Sequence, residues 1–252
     1  MIQRDALLAE LNQLLQPQFF KDYAPNGLQV QGRSDIQVLV SGVTASRALI
    51  ERAIELKADA IFVHHGYFWK SEDPTITGMK FQRVKALIDH GINLFAYHLP
   101  LDSHPELGNN TQLAKVLGFS IEGGLQPGEQ RPIGNLGSLA QPLTLDQLGA
   151  QVAGKLGRQP LLIQGGDHPI RRIAWCTGGA QGYIEQAVAL GADAYLSGEI
   201  SEQTVHIARE CGIHYIAAGH HATERFGAPA VGRYLAERFG LTHHFADIDN
   251  PA

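Results

Sequence analysis

Only two cysteines, Cys176 and Cys211, occur in 252 residues. No disulfide framework can staple such a chain, and a reducing compartment, the cytoplasm, is the expected setting. Positive charge is not in excess either: the net charge is −5. Without a global basic field, a nucleic-acid backbone or an anionic membrane is not an expected partner, although a local basic lining stays open. No run approaches the roughly 18 apolar residues of a membrane span. The opening MIQRDALLAELNQLLQPQFF lacks the basic front and unbroken apolar stretch of a secretory leader. Its Ala6, Leu7, Leu8, Leu11, Leu14 and Leu15 instead predict an amphipathic helix. Residues 149–155, GAQVAGK, have the spacing of a phosphate-binding loop, but Leu156 follows where Ser or Thr would hold magnesium. The segment also falls inside a predicted helix and not after a strand, so a nucleotide P-loop is not expected.

What remains is an ordinary globular composition, 44% hydrophobic and 18% charged, long enough to bury a core as one large domain or two small ones. Short apolar runs at Ile36–Val43, Ala60–Val63 and Ile92–Tyr97 predict strands, with helical periodicity at Ala45–Lys57 and Phe81–His90 between them. That alternation predicts βαβ units and mostly parallel sheets. Residues 122–142, rich in Gly, Pro and Gln, are expected to connect two lobes. A helix is predicted over 143–156, where Thr144 and Gln147 have capping-box spacing. Strands are predicted again at Ile173–Thr177, Ala194–Ser197 and Ile213–Ala218, with helices at Gln181–Leu190 and Glu202–Glu210.

The second set repeats the first. IERAIELKADAIFVHHG (50–66) aligns with IEQAVALGADAYLSGE (184–199), and HGINLFAYH (90–98) with CGIHYIAAGH (211–220). Two matches in the same order, on the same predicted elements, indicate an internal duplication. The expected fold is therefore α/β, with two related lobes. The expected division is residues 1–125 plus 213–252 as the metal-bearing lobe and 126–212 as the second.

Twelve histidines matter by their placement. His64 and His65 follow one predicted strand and His98 another; Glu199 and His220 follow their counterparts in the second copy. Carboxyl ends of parallel strands are where ligands bind in such sheets. His98 precedes Asp102 by four residues, as His220 precedes Glu224, and both members are offset by the same 122 residues. A helix beginning near 221 would carry His220 and Glu224 on one face. Imidazole and carboxylate converging in this way suit a divalent cation. Gly178, Gly179 and Gly182, between a strand and a helix, offer backbone amides to an anion. Their alternative role is a tight turn. Cys176, mid-strand, is not expected to be a nucleophile, and His243 and His244 are expected at the surface.

Six segments together, PNGLQV (25–30), VHHG (63–66), HLPLD (98–102), GGAQG (178–182), ADAYLSGE (192–199) and GHHATERFG (219–227), resemble the GTP cyclohydrolase I type 2 homologs, also called the Nif-three-like family, over nearly the whole chain. One departure is Ala24-Pro25 where many members have Trp-Asp, at a turn away from the metal set. The resemblance implies two metal ions per chain on His64, His65, Asp102, His220 and Glu224. It also implies a toroidal homohexamer. Two ions bridging a water imply a hydrolase, with Glu224 the natural shared carboxylate and His98 and Glu199 candidates for proton transfer or for orienting a ligand. The family name implies ring opening of GTP with release of formate, but no residue identifies guanine. Zn, Mn, Fe, Co and Ni all suit the donors. A metal-binding scaffold or regulatory protein without catalysis is the alternative. Five protein donors shared by two ions leave positions for water, which favours catalysis.

Overall fold

The computed structural model describes residues 1–252. It is a mixed α/β protein with largely parallel sheets, in two compact units. The first comprises Met1–Leu101 with Gly227–Asp249; the second comprises Asp102–Phe226 with Asn250–Ala252. The division differs from the expected 1–125 plus 213–252 and 126–212. The reason is pairing: the His214–Ala217 strand hydrogen-bonds to Ala194–Ser197 and Leu161–Ile163, and Phe119–Gly124 pairs with Asn135–Leu143. The metal-directed residues consequently divide as well. His64, His65 and His98 belong to the first unit; Asp102, His220 and Glu224 belong to the second.

In the first unit Val38–Thr44, Ala60–His65 and Asn93–Ala96 are parallel neighbours, flanked by antiparallel Gly27–Val30 and parallel Thr242–Phe245. In the second, Ile170–Cys176, Ala194–Ser197 and His214–Ala217 are parallel neighbours, flanked by antiparallel Leu161–Ile163 and Asn135–Leu143. Ala194–Ser197 and His214–Ala217 are buried along their length and Ala60–His65 up to its last residue, as β-branched and aromatic runs covered on both faces should be.

The duplication extends to hydrogen bonds. Asp59 Oδ2 accepts from the amides of Gln37 (2.8 Å) and Val38 (2.9 Å). Asp193 Oδ2 accepts from Arg171 and Arg172, both at 2.8 Å. In both units the Asp of the repeated Ala-Asp-Ala ties the start of its strand to the neighbouring strand. Charge-assisted bonds of this kind are about twice as strong as neutral ones.

Residues 122–142 are not a connection. They form most of an antiparallel hairpin, Phe119–Gly124 with Asn135–Leu143, that extends the second sheet. Gly137 reflects close strand approach and not a loop: a Cβ there would lie 1.7 Å from Ser120 O. The capping box at Thr144 and Gln147 is present on helix Leu145–Leu156, and GAQVAGK is helical as expected. Helix Gly227–Phe239 has no clear signature in the sequence because it carries Gly227, Pro229 and Gly232. Proline is tolerated in a first turn, and burial of that face against the first sheet outweighs the weak propensity. No helix is long and apolar enough to cross a membrane.

The expectation for His243 fails. It lies on Thr242–Phe245, half-buried, with Nε2 2.8 Å from Ser41 Oγ. Gly232 leaves the room, since a Cβ there would fall 2.1 Å from Nε2. Burial, with Arg233 and His244 adding repulsion, pushes the His243 imidazole down to about 4. The native state therefore prefers it neutral. Its stabilising contribution is complete above the unfolded value near 6.5 and is lost as pH falls towards 4. Discounted for partial exposure, the loss is about 1–2 kcal/mol. Denaturant melts of the wild type and of His243→Gln across this window should show a steeper acid loss in the wild type. Parallel curves would contradict this.

Candidate metal centre

Strand Ala60–His65 ends on the two histidines, and His98 follows Asn93–Ala96 by two residues. The three rings meet within the first unit. Centroids are 4.4 Å apart for His64 and His65, 5.0 Å for His64 and His98, and 5.8 Å for His65 and His98. One nitrogen from each lies within 4.8 Å of the others. Each ring is held at Nδ1 by a different group: His64 by Tyr97 O (3.1 Å), His65 by Thr44 Oγ1 (3.1 Å) and His98 by Asp22 Oδ1 (2.7 Å). The acceptor-only partners of His64 and His98 keep the ring proton on Nδ1 and leave Nε2 as the lone pair directed at a cation, while Thr44 fixes the orientation of the His65 ring.

Asp22 is a site residue that the sequence does not signal. It is buried and accepts from Tyr23 N (2.7 Å), Asn26 Nδ2 (2.9 Å) and Leu99 N (3.0 Å) besides His98. Burial raises its pKa, but His98, Asn26 and the Tyr23 amide outweigh that and hold it below the usual carboxylate range. The PNG turn supplies Asn26, whose Oδ1 accepts from His98 N at 2.7 Å.

Beyond the histidine pair, Phe68 adopts a left-handed φ of 65°, which is uncommon for a bulky residue and marks an over-determined segment. Gln29 grips the preceding residue at both ends: its Oε1 accepts from Tyr67 N (2.7 Å) and its Nε2 donates to Tyr67 O (3.1 Å). The result sets the Trp69 ring 4.9 Å from His98 and 5.9 Å from His65. Gln29→Ala should cost about 1–3 kcal/mol, because it abandons a buried amide and carbonyl together. It should also shift Trp69 emission to the red; an unchanged spectrum would refute this bracing role.

In the second unit Asp102 is buried and its Oδ1 accepts from Asn109 Nδ2 (2.9 Å) and Thr177 Oγ1 (3.2 Å). Helix His220–Glu224 is a single turn, as the spacing predicts, with His220 Nε2 3.1 Å from Glu224 Oε2. Glu199 Oε1 lies 2.7 Å from His220 Nδ1, so Glu199 acts on the ring nitrogen away from Glu224. Burial lowers the His220 pKa, but the Glu224 and Glu199 carboxylates raise it further, to about 9. Between two anions the ring readily holds a proton, which a metal ion binding at Nε2 would have to displace.

The glycine turn has a different use from the one expected at Gly178. Its N–H donates to Thr223 Oγ1 (3.0 Å) and its O accepts from Gly198 N (2.9 Å) and Ser197 Oγ (3.1 Å), so its amide is spent. Its φ is +69°, and a Cβ there would lie 2.0 Å from Glu224 Oε1 and 3.0 Å from His220 Nε2. Only glycine leaves room for the glutamate. Gly179 and Gly182 are exposed. Cys176 is fully buried in the core, and burial, with Asp102 and Glu224 adding to it, pushes its thiol well up; it is inert, as expected.

These residues suit divalent metal. Three imidazoles are held at Nδ1, and two carboxylates, Asp102 and Glu224, are only 5% and 2% exposed. Carboxylates are rarely buried so far without pairing or a cation.

The sequence matches the model of the family Duf34/NIF3 (NGG1p interacting factor 3) over residues 2–251. A Pseudomonas aeruginosa protein named GTP cyclohydrolase 1 type 2 homolog is 58% identical over 246 residues, 98% of this chain and 97% of its own. The solved structure of ybgI, described as of unknown function, superposes with a TM-score of 0.95 at 48% identity over the whole of both chains. A structure from Thermus thermophilus gives 0.88 at 35% identity, again over both whole chains. On sequence and fold together, this chain belongs to the Duf34/NIF3 family.

Proposed function

We propose that this chain is a hydrolase dependent on two divalent metal ions, held by His64, His65, Asp102, His220 and Glu224. The observation that carries the reading is the convergence of imidazoles fixed at Nδ1, taken with two deeply buried carboxylates that carry hydrogen-bond partners of their own. A pair of such ions, when bound, lowers the pKa of water and polarises the group attacked.

The residues have separable tasks. Tyr97 O and Thr44 orient His64 and His65. Asn109 and Thr177 fix one oxygen of Asp102. Glu224 presents its carboxylate beside His220, and Gly178 makes the space. Glu199 is a positioning residue that holds His220 through Nδ1. Gly179 and Gly182 are exposed and are the part of the turn proposed to meet the anionic part of a substrate. The relatives' name suggests opening of a purine ring with release of formate. The small-molecule substrate is best sought among nucleotides, phosphoesters and cyclic amides. Assembly into a homohexamer is part of the proposal and rests on family resemblance.

Metal analysis of protein purified without chelator, joined to an activity screen over those three classes with formate detection, tests the reading. About two ions per chain, with turnover abolished by chelator and restored by metal, is expected. At most one ion in fully loaded protein would reject the dinuclear site. Two ions with no turnover across the screen would favour a metal-binding scaffold.

A further inference from the structure

We propose that Asp22 is a positioning residue that makes His98 a further metal-directed donor, a third imidazole beside His64 and His65. The inference rests on the metal-dependent reading above and adds residues to it.

Three observations carry it. First, Asp22 Oδ1 lies 2.7 Å from His98 Nδ1, so the hydrogen bond places the ring proton on Nδ1 and leaves the lone pair on Nε2. That is the tautomer of a metal-binding histidine backed by a carboxylate. Second, a ring nitrogen of His98 falls within 4.8 Å of one from His64 and one from His65; a general acid or base serving a distant group has no need of that cluster. Third, the second unit has the same device built from a different position. His220 is the counterpart of His98, and its Nδ1 is held by Glu199 at 2.7 Å. Glu199, however, aligns with His65 in the repeat, whereas Asp22 precedes the Gly27–Val30 strand and lies outside the repeated segments. A carboxylate inherited through duplication would sit at corresponding positions. These two do not, so each half acquired its own carboxylate for the same histidine. A separate acquisition of one geometry argues for a requirement of the site.

Asp22 also caps Leu99 N and holds Asn26 and Tyr23 N, so a purely structural role is the competing explanation. A metal titration coupled to a mutant cycle separates the two. Metal-free full-length protein is titrated with Co²⁺, followed by its visible absorption and by quenching of Trp69, whose ring is 4.9 Å from His98. Asp22→Asn is expected to weaken one of the two Co²⁺ equivalents about 10–100-fold, and His98→Gln to weaken the same equivalent. The double variant should bind no more weakly than His98→Gln alone. Wild-type binding by Asp22→Asn, or effects that multiply, would overturn the proposal.

Should Asp22→Asn fold poorly, the wild type still decides. ¹⁵N spectra of the metal-free protein at mildly alkaline pH should show the His98 proton on Nδ1, and a proton on Nε2 alone would refute the assignment. A wild type that takes up no second equivalent would sink the dinuclear reading instead, leaving the tautomer result to stand or fall separately.

Discussion

Gly178→Ala is expected to destabilise the protein and to cut metal affinity at least about a hundredfold. Two effects combine. The backbone at 178 has φ +69°, where an L side chain costs about 1–2 kcal/mol. The added Cβ would lie 2.0 Å from Glu224 Oε1 and 2.9 Å from its Cδ, and overpacking costs about 1–3 kcal/mol more. Relief by moving the turn is blocked by the bonds from Gly178 to Thr223, Ser197 and Gly198. Glu224 must therefore rotate away, and it is the donor on which the proposed site most depends. Misplacing a donor by an ångström weakens a preorganised site strongly. Gly179→Ala is the control. Its Cβ would meet Glu199 at 3.5 Å, an ordinary separation, with no positive φ. Calorimetric metal titration and thermal melts of both variants test the contrast; equal losses would show that the turn as a whole, and not the Glu224 cradle, is sensitive.

Glu224→Ala should bring the second large loss: metal binding weakened by at least about a thousandfold, with secondary structure intact. A buried carboxylate carries a desolvation penalty that folding must offset. Deleting it removes that penalty but also the His220 contact, for which removal of one buried partner costs up to about 3–5 kcal/mol; Glu199 still faces the imidazole at Nδ1, so the metal-free protein should melt lower than wild type and remain folded. Added metal should then raise the wild-type melting temperature and leave the variant unmoved, because stabilisation scales with binding to the native state. Collapse of the circular dichroism spectrum would make Glu224 a structural residue instead. Glu199→Gln is expected to behave differently. The amide oxygen can still accept from His220 Nδ1, so affinity falls by about 10–100-fold, as for Asp22→Asn and far less than for Glu224→Ala; at saturating metal, occupancy stays close to normal while turnover of whichever substrate is found falls. Metal loss equal to that of Glu224→Ala would make Glu199 a ligand.

Much of this is legible in sequence, for a local reason. Parallel strands between helices leave a 2-to-3.6 change of period, and a βα turn puts its polar residues at the strand's carboxyl end. His64, His65, His98, His220 and Glu224 are therefore visible as strand-end residues, and the duplication as a repeated text. Spacing of four residues places His220 and Glu224 on one helical turn, as observed. Other features depend on residues distant in the chain. The hairpin hides within residues 122–142 because its pairing partners, and not its composition, make it a sheet. The boundaries of the two units differ from expectation because strand pairing, not chain order, assigns His214–Ala217 to its sheet. The Gly178 turn reads as an anion cradle in the sequence, yet Thr223, 45 residues away, takes its amide. Asp22 gives no signal: a single aspartate ahead of a Pro-Asn-Gly turn looks like any surface carboxylate. Only folding brings it to the nitrogen of His98, 76 residues along the chain. The sequence by itself determined which donor types stand at which strand ends, since covalent spacing and hydrophobic period suffice for that. The tertiary structure alone decided which nitrogen of each ring is tied down and which glycine makes room for a carboxylate. Hydrogen bonds and steric clearances join residues whose separation in sequence carries no information about their separation in space.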